Sequence, residues 1–446
     1  MKSHNLFKFA FFWHDLAHFA KFMYKLPPIL PKTRFQRFTG CFGFAQIPIS
    51  LLAIALWSGA PAPVGARSET TEPPPIPAPE SSDMAPDPLL PDPPEDGVLP
   101  PERRQSLELA LDRLNAEALA QLAAGNGKEA FKLWNRELRL RRYLGPIAEV
   151  QALSRVGAIA WQQEELTQVE IVETRLEAIH QEFCPGGQLC DLALLRELGG
   201  AFEQVRSRDL AIRVYSKLLG NARQREDIEE IKLNLEKIGQ LQVENLDYRA
   251  AAPYYEELLA HATARNDREA QIGYIERLIF VYAQGRDRER AIVMRQQLIA
   301  HYLNVQDLRK VPQLKVAVGV NYQLLGKLPE AIENYREAYT MAWSLQQFQV
   351  AREALQQLAD LYYSLEKVDE ALQVYEAMLV VDRRATNLYG LMESFDRIGQ
   401  IQRDRGAYPE ALAAFQSALE LAQRLDAPTD RFSRQIEEIV RQSAQQ

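Results

Sequence analysis

The feature that most constrains this chain is a set of mostly small residues recurring at a fixed interval. Ala118, Gly157, Gly199, Gly239, Ile279, Gly319, Ala359 and Gly399 form one register, forty residues apart without exception from Gly199 onward. A second register follows twelve positions behind the first: Ala130, Val169, Ala211, Ala251, Ala291, Ala331, Ala371 and Ala411. Glycine inside a helix costs about 1 kcal/mol relative to alanine, so five glycines in one helical register imply a neighbour too close for a larger side chain. Bulky residues surround both registers. Leu235, Leu355 and Phe395 stand one turn before the small residue, and Phe202, Tyr282, Tyr322 and Tyr362 one turn after it. Trp134, Tyr215, Tyr255, Tyr335, Tyr375 and Phe415 occupy the helix that follows. Pro329 and Pro409 fall where that second helix starts, a position that needs no N–H and suits a fixed φ. From Glu102 onward the periodicity is helical, with no strand alternation. The spacing therefore predicts an all-α solenoid of about eight helical hairpins, each burying its faces against its neighbours.

A small residue, an aromatic three later, an alanine twelve later and another aromatic four after that resembles the tetratricopeptide repeat. The resemblance covers residues 102 to 424 in eight copies. Copy two departs from it at Glu173, and copy five at Ile279 and Arg295. The family's period is about 34 residues, so a period of forty implies helices longer by a turn or more. The resemblance implies a right-handed superhelix whose first helices line a concave groove that holds peptides or partner helices. Length, leader and repeat number also resemble those of a periplasmic repeat protein that assists photosystem II assembly in cyanobacteria, without a motif that singles it out. Residues 429 to 446 are expected to form a capping helix, polar on its outer face, with Thr429 or Asp430 at its start.

The chain's formal charge of −8 is unevenly spread. Residues 1 to 66 carry seven Lys or Arg against Asp15, a balance of +6, which leaves −14 for the rest. An acidic body without a cationic stripe argues against nucleic acid, because phosphate binding needs clustered cations. The basic leader ends in an apolar run, Ile49 to Trp57, of signal-peptide length, and Val64-Gly-Ala66 offers a cleavage site after Ala66. The alternative is an uncleaved membrane anchor from about Gly40 to Trp57. The aromatic stretch 7 to 26 reads either as an interfacial helix or as sequence upstream of a start at Met23. In either case 1–66 is a signal peptide or anchor and the body is exported, to a periplasm or another extracytoplasmic compartment. Residues 67 to 101 hold twelve prolines and eight acidic residues against one Arg, the composition of an extended, disordered linker. The solenoid is then expected over 102–428.

With Cys41 in the leader, the exported body keeps two cysteines, Cys184 and Cys190, around a Pro-Gly-Gly turn between copies two and three. An oxidising compartment favours a disulfide between them, worth roughly 2 kcal/mol for so short a loop. A metal site that adds His180 would have only three ligands at unfamiliar spacing, and a redox centre would more often read C-x-x-C. His180, His261 and His301 all lie near the ends of second helices, where histidine answers the helix dipole. No nucleophile elbow, phosphate loop or HExxH occurs, so no catalytic residue, metal or cofactor is implied.

Carrying the family's inward positions over copy by copy places Glu236 and Gln240, Glu276 and Phe280, Gln323, then Gln356, Asp360 and Tyr363, then Glu393, Asp396 and Gln400 in the groove. Such a surface is acidic and amide-rich, with a few aromatic faces. It lacks the Lys and Arg with which chaperone-binding members grip a C-terminal carboxylate. It suits protein or peptide partners, in a scaffold or assembly factor that touches a membrane only through an uncleaved leader. The rival reading is a manganese- or calcium-handling protein that uses the same acids.

Overall fold

A computed structural model describes residues 87–94, 99–184 and 191–444. The leader, Cys41 and Cys190 lie outside the described residues, as does most of the segment expected as a linker. Seventeen α-helices and no strands occur among the described residues, and they pair as the spacing requires. Copy one is α1 (Pro101–Ala123) with α2 (Gly127–Arg141), and copy two is α3 (Pro146–Gln162) with α4 (Leu166–Phe183). Copies three to five are α5 (Leu192–Gln204) with α6 (Arg208–Gln224), α7 (Ile228–Glu244) with α8 (Tyr248–Ala264), and α9 (Arg268–Gln284) with α10 (Arg288–Asn304). Copies six to eight are α11 (Val311–Leu324) with α12 (Leu328–Ser344), α13 (Phe348–Ser364) with α14 (Val368–Arg384), and α15 (Leu388–Asp404) with α16 (Tyr408–Arg424). The helix α17 (Asp430–Ser443) closes the stack.

The forty-residue period is two identical twenties. Most helices run 17 residues and end in a three-residue turn whose middle residue is left-handed, as at Leu246, Asn266 and Arg286 with φ of 61, 54 and 58°. The turn closes by a 6→1 hydrogen bond, Asp247 N–H to the Gln242 carbonyl, together with a 5→2-type bond from Leu246 to Val243. Gly326 and Gly406 fill the same left-handed position, where a missing Cβ removes the steric cost. The residue that ends one turn caps the next helix. Asp227, Asp247, Asp267 and Asp287 each accept the N–H three residues on, which satisfies one of the donors left over at a helix start.

The small-residue register does what its cost demands. A Cβ at Gly319 would lie 2.6 Å from the Tyr335 ring, and one at Gly399 would lie 2.6 Å from Phe415; at Gly199 and Gly239 the nearest atoms of Tyr215 and Tyr255 stand at 3.0 and 3.1 Å. The close neighbour is thus the aromatic sixteen residues later on the second helix. Gly157 differs, because there the intruder is Val205 of the next copy, 2.4 Å from a notional Cβ. Ala211, Ala251, Ala291, Ala331, Ala371 and Ala411 are all fully buried.

The N-terminal end departs from expectation. Part of the segment expected as an extended linker is packed on copy one. The Asp87 carboxylate receives Arg136 Nε at 2.7 Å and Nη2 at 2.6 Å, and Leu90 and Leu99 are buried among Leu107, Leu111, Leu114, Leu140 and Leu144. Proline forbids helix there but not burial, and the first hairpin has no earlier copy to cover its apolar side. At the other end Thr429 occupies the cap position of α17 without a side-chain hydrogen bond. Phe432 and Ile439 anchor α17 on Ala411, Phe415, Ala418 and Ala422.

Candidate functional site

The first helices stand side by side and are tied across copies by polar pairs. Arg196 on α5 grips Glu230 on α7 through two contacts of 2.8 Å, Lys237 on α7 reaches back to Glu203 on α5 at 2.9 Å, and Tyr274 on α9 donates to Glu236 on α7 at 2.6 Å. Farther along, Gln313 on α11 donates to Glu353 on α13 at 3.1 Å, and Arg352 on α13 meets Glu393 on α15 at 2.7 Å. The first helices bury Leu235, Leu278 and Leu355 in the core, and the outward sides of α7, α9, α11, α13 and α15 make up the first-helix face.

Most of the residues expected on this face are there. Gln240, Glu276, Phe280, Asp360, Tyr363 and Glu393 are exposed, while Glu236, Gln323, Gln356 and Gln400 are half-buried. Gln240 donates to Glu244 at 3.0 Å and Gln356 to Asp360 at 3.0 Å, so amide and acid pair along one helix. Gln323 accepts from the buried Tyr335 hydroxyl at 2.8 Å. Phe280 stands edge-on to Tyr248, 6.0 Å between centroids, and remains 43% exposed, with Leu324 at 59% and Tyr363 at 51%. Exposed apolar side chains thus run across copies five, six and seven.

Two expected groove residues serve the stack instead. Asp396 is 5% exposed and holds the capping helix, accepting from Arg431 at 2.7 Å, Gln435 at 3.2 Å and Gln400 at 2.8 Å. Glu393 is committed to Arg352, whose guanidinium also lies 3.1 Å from the fully buried Asp382. The face is therefore less acidic than the inward positions alone imply, because cations such as Arg352 on Glu393 neutralise part of the charge. A single-residue reading of one helix misses them, since their partners lie a whole copy away.

Several other buried charges are matched within the fold. Glu137 meets Arg155 at 2.7 Å and Arg141 at 3.1 Å, and Glu149 takes both nitrogens of Arg175. Asp382 also accepts from Asn387 at 2.9 Å; burial pushes its carboxyl up, and Arg352 opposes that shift. Gly390 is required there, because a Cβ would fall 2.4 Å from an Asp382 oxygen.

The histidines do not act as cations on the helix dipole throughout. Burial lowers the pKa of His180, and Lys217, 3.0 Å from its Nε2, lowers it further. Cys184 is buried at the end of α4. Among the described residues no group of three or more His, Cys, Asp or Glu comes together to hold a metal ion, so manganese or calcium handling gains no support. Among those same residues no helix is long and apolar enough to cross a membrane.

A model of the tetratricopeptide repeat family matches residues 354–389, the span from α13 through α14. No curated protein matches the chain. Among solved structures the chain is similar to BtubC from P. vanneervenii, at 19% identity over 50% of this chain and 93% of that one, with a TM-score of 0.33. It is similar to a signal-transduction ATPase with a tetratricopeptide-repeat sensor from Pyrococcus horikoshii, at 18% identity over 65% of this chain and 44% of that one, TM-score 0.33. It is also similar to aspartyl phosphate phosphatase F from Bacillus subtilis, at 15% identity over 62% and 76% of the two chains, TM-score 0.35. The likeness to a photosystem II assembly factor has no counterpart among these matches.

Proposed function

We propose that this chain, a tetratricopeptide-repeat protein, is a non-catalytic scaffold or assembly factor that holds an extended segment of a partner protein along the first-helix face of copies four to seven. The observation that carries the reading is the juxtaposition of Phe280, Leu324 and Tyr363, each at least 43% exposed, with the acids and amides at Glu276, Gln240, Gln356 and Asp360. Aromatic faces accept apolar or cationic side chains, and long amides pair with a peptide backbone. The eighth copy contributes little, because α17 occupies Asp396. Export through the leader, removal of residues 1–66 and a Cys184–Cys190 bond complete the proposal. Mass spectrometry of protein from its native compartment should then show an N-terminus near Arg67 and no alkylatable thiol.

The test of the binding face is a pull-down from envelope extract with wild type and with Glu276→Lys/Asp360→Lys/Tyr363→Ser. None of these residues packs in the core, so helicity should be unchanged while the captured partners are lost. Retrieval of the same partners with the same salt dependence would show that binding occurs elsewhere on the stack.

A further inference from the structure

The forty-residue pattern breaks in polarity at Glu173, which accepts from the Ser207 hydroxyl, and again at Arg295. Arg295 on α10 takes the register that Tyr215, Tyr255, Tyr335, Tyr375 and Phe415 fill in other copies, all of them buried. Two positions past the small residue, Leu241, Val281, Leu361 and Ile401 are buried aliphatics, and in copy six that place belongs to Asn321 on α11.

The departures at Arg295 and Asn321 fall on helices that pack together. A spacing of 26 residues brings each second helix onto the next first helix: the Tyr282 hydroxyl on Glu256, Gln296 Nε2 on the Tyr322 hydroxyl at 3.1 Å, and Arg336 on the Tyr362 hydroxyl at 2.6 Å. Arg295 and Asn321 are also 26 apart, each one residue before the Gln296–Tyr322 pair. On two antiparallel helices one step back from a facing pair turns both side chains to the same side, so both point to the side of the seam that is apolar in other copies.

Both bring donors and find no acceptor. Arg295 Nη1 and Asn321 Nδ2 are shut off from solvent without a hydrogen-bond partner. In copies three and six the residue in Arg295's register finds its acceptor twelve positions earlier, Tyr215 on Glu203 and Tyr335 on Gln323; in copy five that position is Ala283, which has none to offer. Burial alone lowers the pKa of Arg295, with no carboxylate near enough to oppose it. A guanidinium is a fork of donors matched to two oxygens, and leaving it buried and unmatched is costly unless an acceptor arrives. Both side chains are only partly buried, and Phe280 and Leu324 on the flanking first helices are exposed.

We propose that the seam between copies five and six receives the carboxylate of an acidic side chain from the bound protein segment, with Arg295 and Asn321 donating to its oxygens. This deepens the first-helix reading and rests on it. The exposed Glu276 on α9 repels a run of acids, so the fitting segment carries one Asp or Glu flanked by Lys or Arg. A single pair of buried donors in a mixed-charge surface fixes the register of an extended chain.

The test titrates the full-length protein with sodium acetate, following arginine Nε–H resonances, with sodium chloride at equal ionic strength as reference. Acetate alone should move the Arg295 resonance saturably, with affinity weakened about tenfold in Asn321→Leu. A drift common to both salts, a shift unchanged in Asn321→Leu, or an Arg295 already bonded to a turned Asn321 amide overturns the proposal. A second arm uses the blocked peptide acetyl-Ala-Lys-Leu-Glu-Lys-Leu-Ala-amide and its Gln analogue. The Glu form should bind about tenfold more tightly, and Arg295→Gln should erase the difference; equal binding of the two overturns the carboxylate preference. If partner capture survives the face variant while acetate still titrates Arg295, the first-helix reading fails and the carboxylate site stands. If capture is lost in the face variant and acetate leaves Arg295 unmoved, the carboxylate site fails and the first-helix reading stands.

Discussion

Two seams of the same stack carry buried charge, and they treat it differently. Between copies seven and eight, the fully buried Asp382 is met by Arg352 at 3.1 Å and Asn387 at 2.9 Å, with Gly390 clearing the space. Between copies five and six, Arg295 and Asn321 present donors to nothing. The first seam is a closed network, which holds two copies in register; the second is half of one. An identical hairpin geometry therefore supports a structural polar joint in one place and an open one in another. What decides between them is whether the fold itself provides the complementary partner.

The largest effect is expected at the closed seam. Asp382→Ala takes the buried acceptor from both Arg352, which keeps only Glu393, and Asn387, and should cost about 3 kcal/mol in chemical denaturation. A loss below about 1 kcal/mol would mean that the network is not what joins copies seven and eight.

Next in size is the glycine register, which the two seams share. Gly319→Ala drives a Cβ into the buried Tyr335 ring and should cost about 1–3 kcal/mol, whereas Gly200→Ala, with nothing within 4 Å, should gain up to about 1 kcal/mol from helix propensity. Equal changes at both sites, read from the same denaturation curves, would remove close approach as the reason for these glycines.

The smallest effect separates the tyrosine copies from the arginine copy by pH. Burial pushes the Tyr375 hydroxyl up to about 12 with help from the Asp360 charge, and burial raises Tyr335 as well. A group whose pKa is raised in the fold contributes stability that is fully present below its unfolded value near 10 and is lost as pH rises through its folded value. Stability should therefore fall between about pH 10 and 12, and Tyr375→Phe should make that fall shallower while leaving the neutral-pH midpoint nearly unchanged, since Phe415 already fills this register. An identical alkaline slope in the variant would remove Tyr375 from the titration.

The fold was legible because period and chemistry agree. Gly199 to Gly399 at intervals of forty, with alanine twelve later and aromatics sixteen later, specify hairpin, packing partner and copy number together. The cap residues were written as plainly, in Asp227, Asp247, Asp267 and Asp287 at intervals of twenty, although a search for forty-residue repeats passes over them. The face was legible only in part. Exposure of Phe280 and Tyr363 follows from helix geometry, but burial of Asp396 depends on where α17 settles, and neutralisation of Glu393 depends on an Arg a copy away. Leu90 and Leu99 were hidden among prolines whose composition speaks for extension, although burial needs only two leucines and an uncovered hairpin. Arg295 stood out at once as a breach of the repeat; its meaning required knowing that its Nη1 and the Asn321 Nδ2 are buried without partners.

The most direct measurement is the thermal midpoint of the full chain carrying Arg295→Tyr and Asn321→Leu, which restore the aromatic and aliphatic registers of the other copies. If the open seam holds donors kept for a partner, the double variant loses an unmatched buried guanidinium and amide, melts higher than wild type, and no longer prefers the Glu peptide over the Gln peptide. A midpoint that falls instead would show that Arg295 and Asn321 are already satisfied in the free protein, and the distinction between the two seams would not stand.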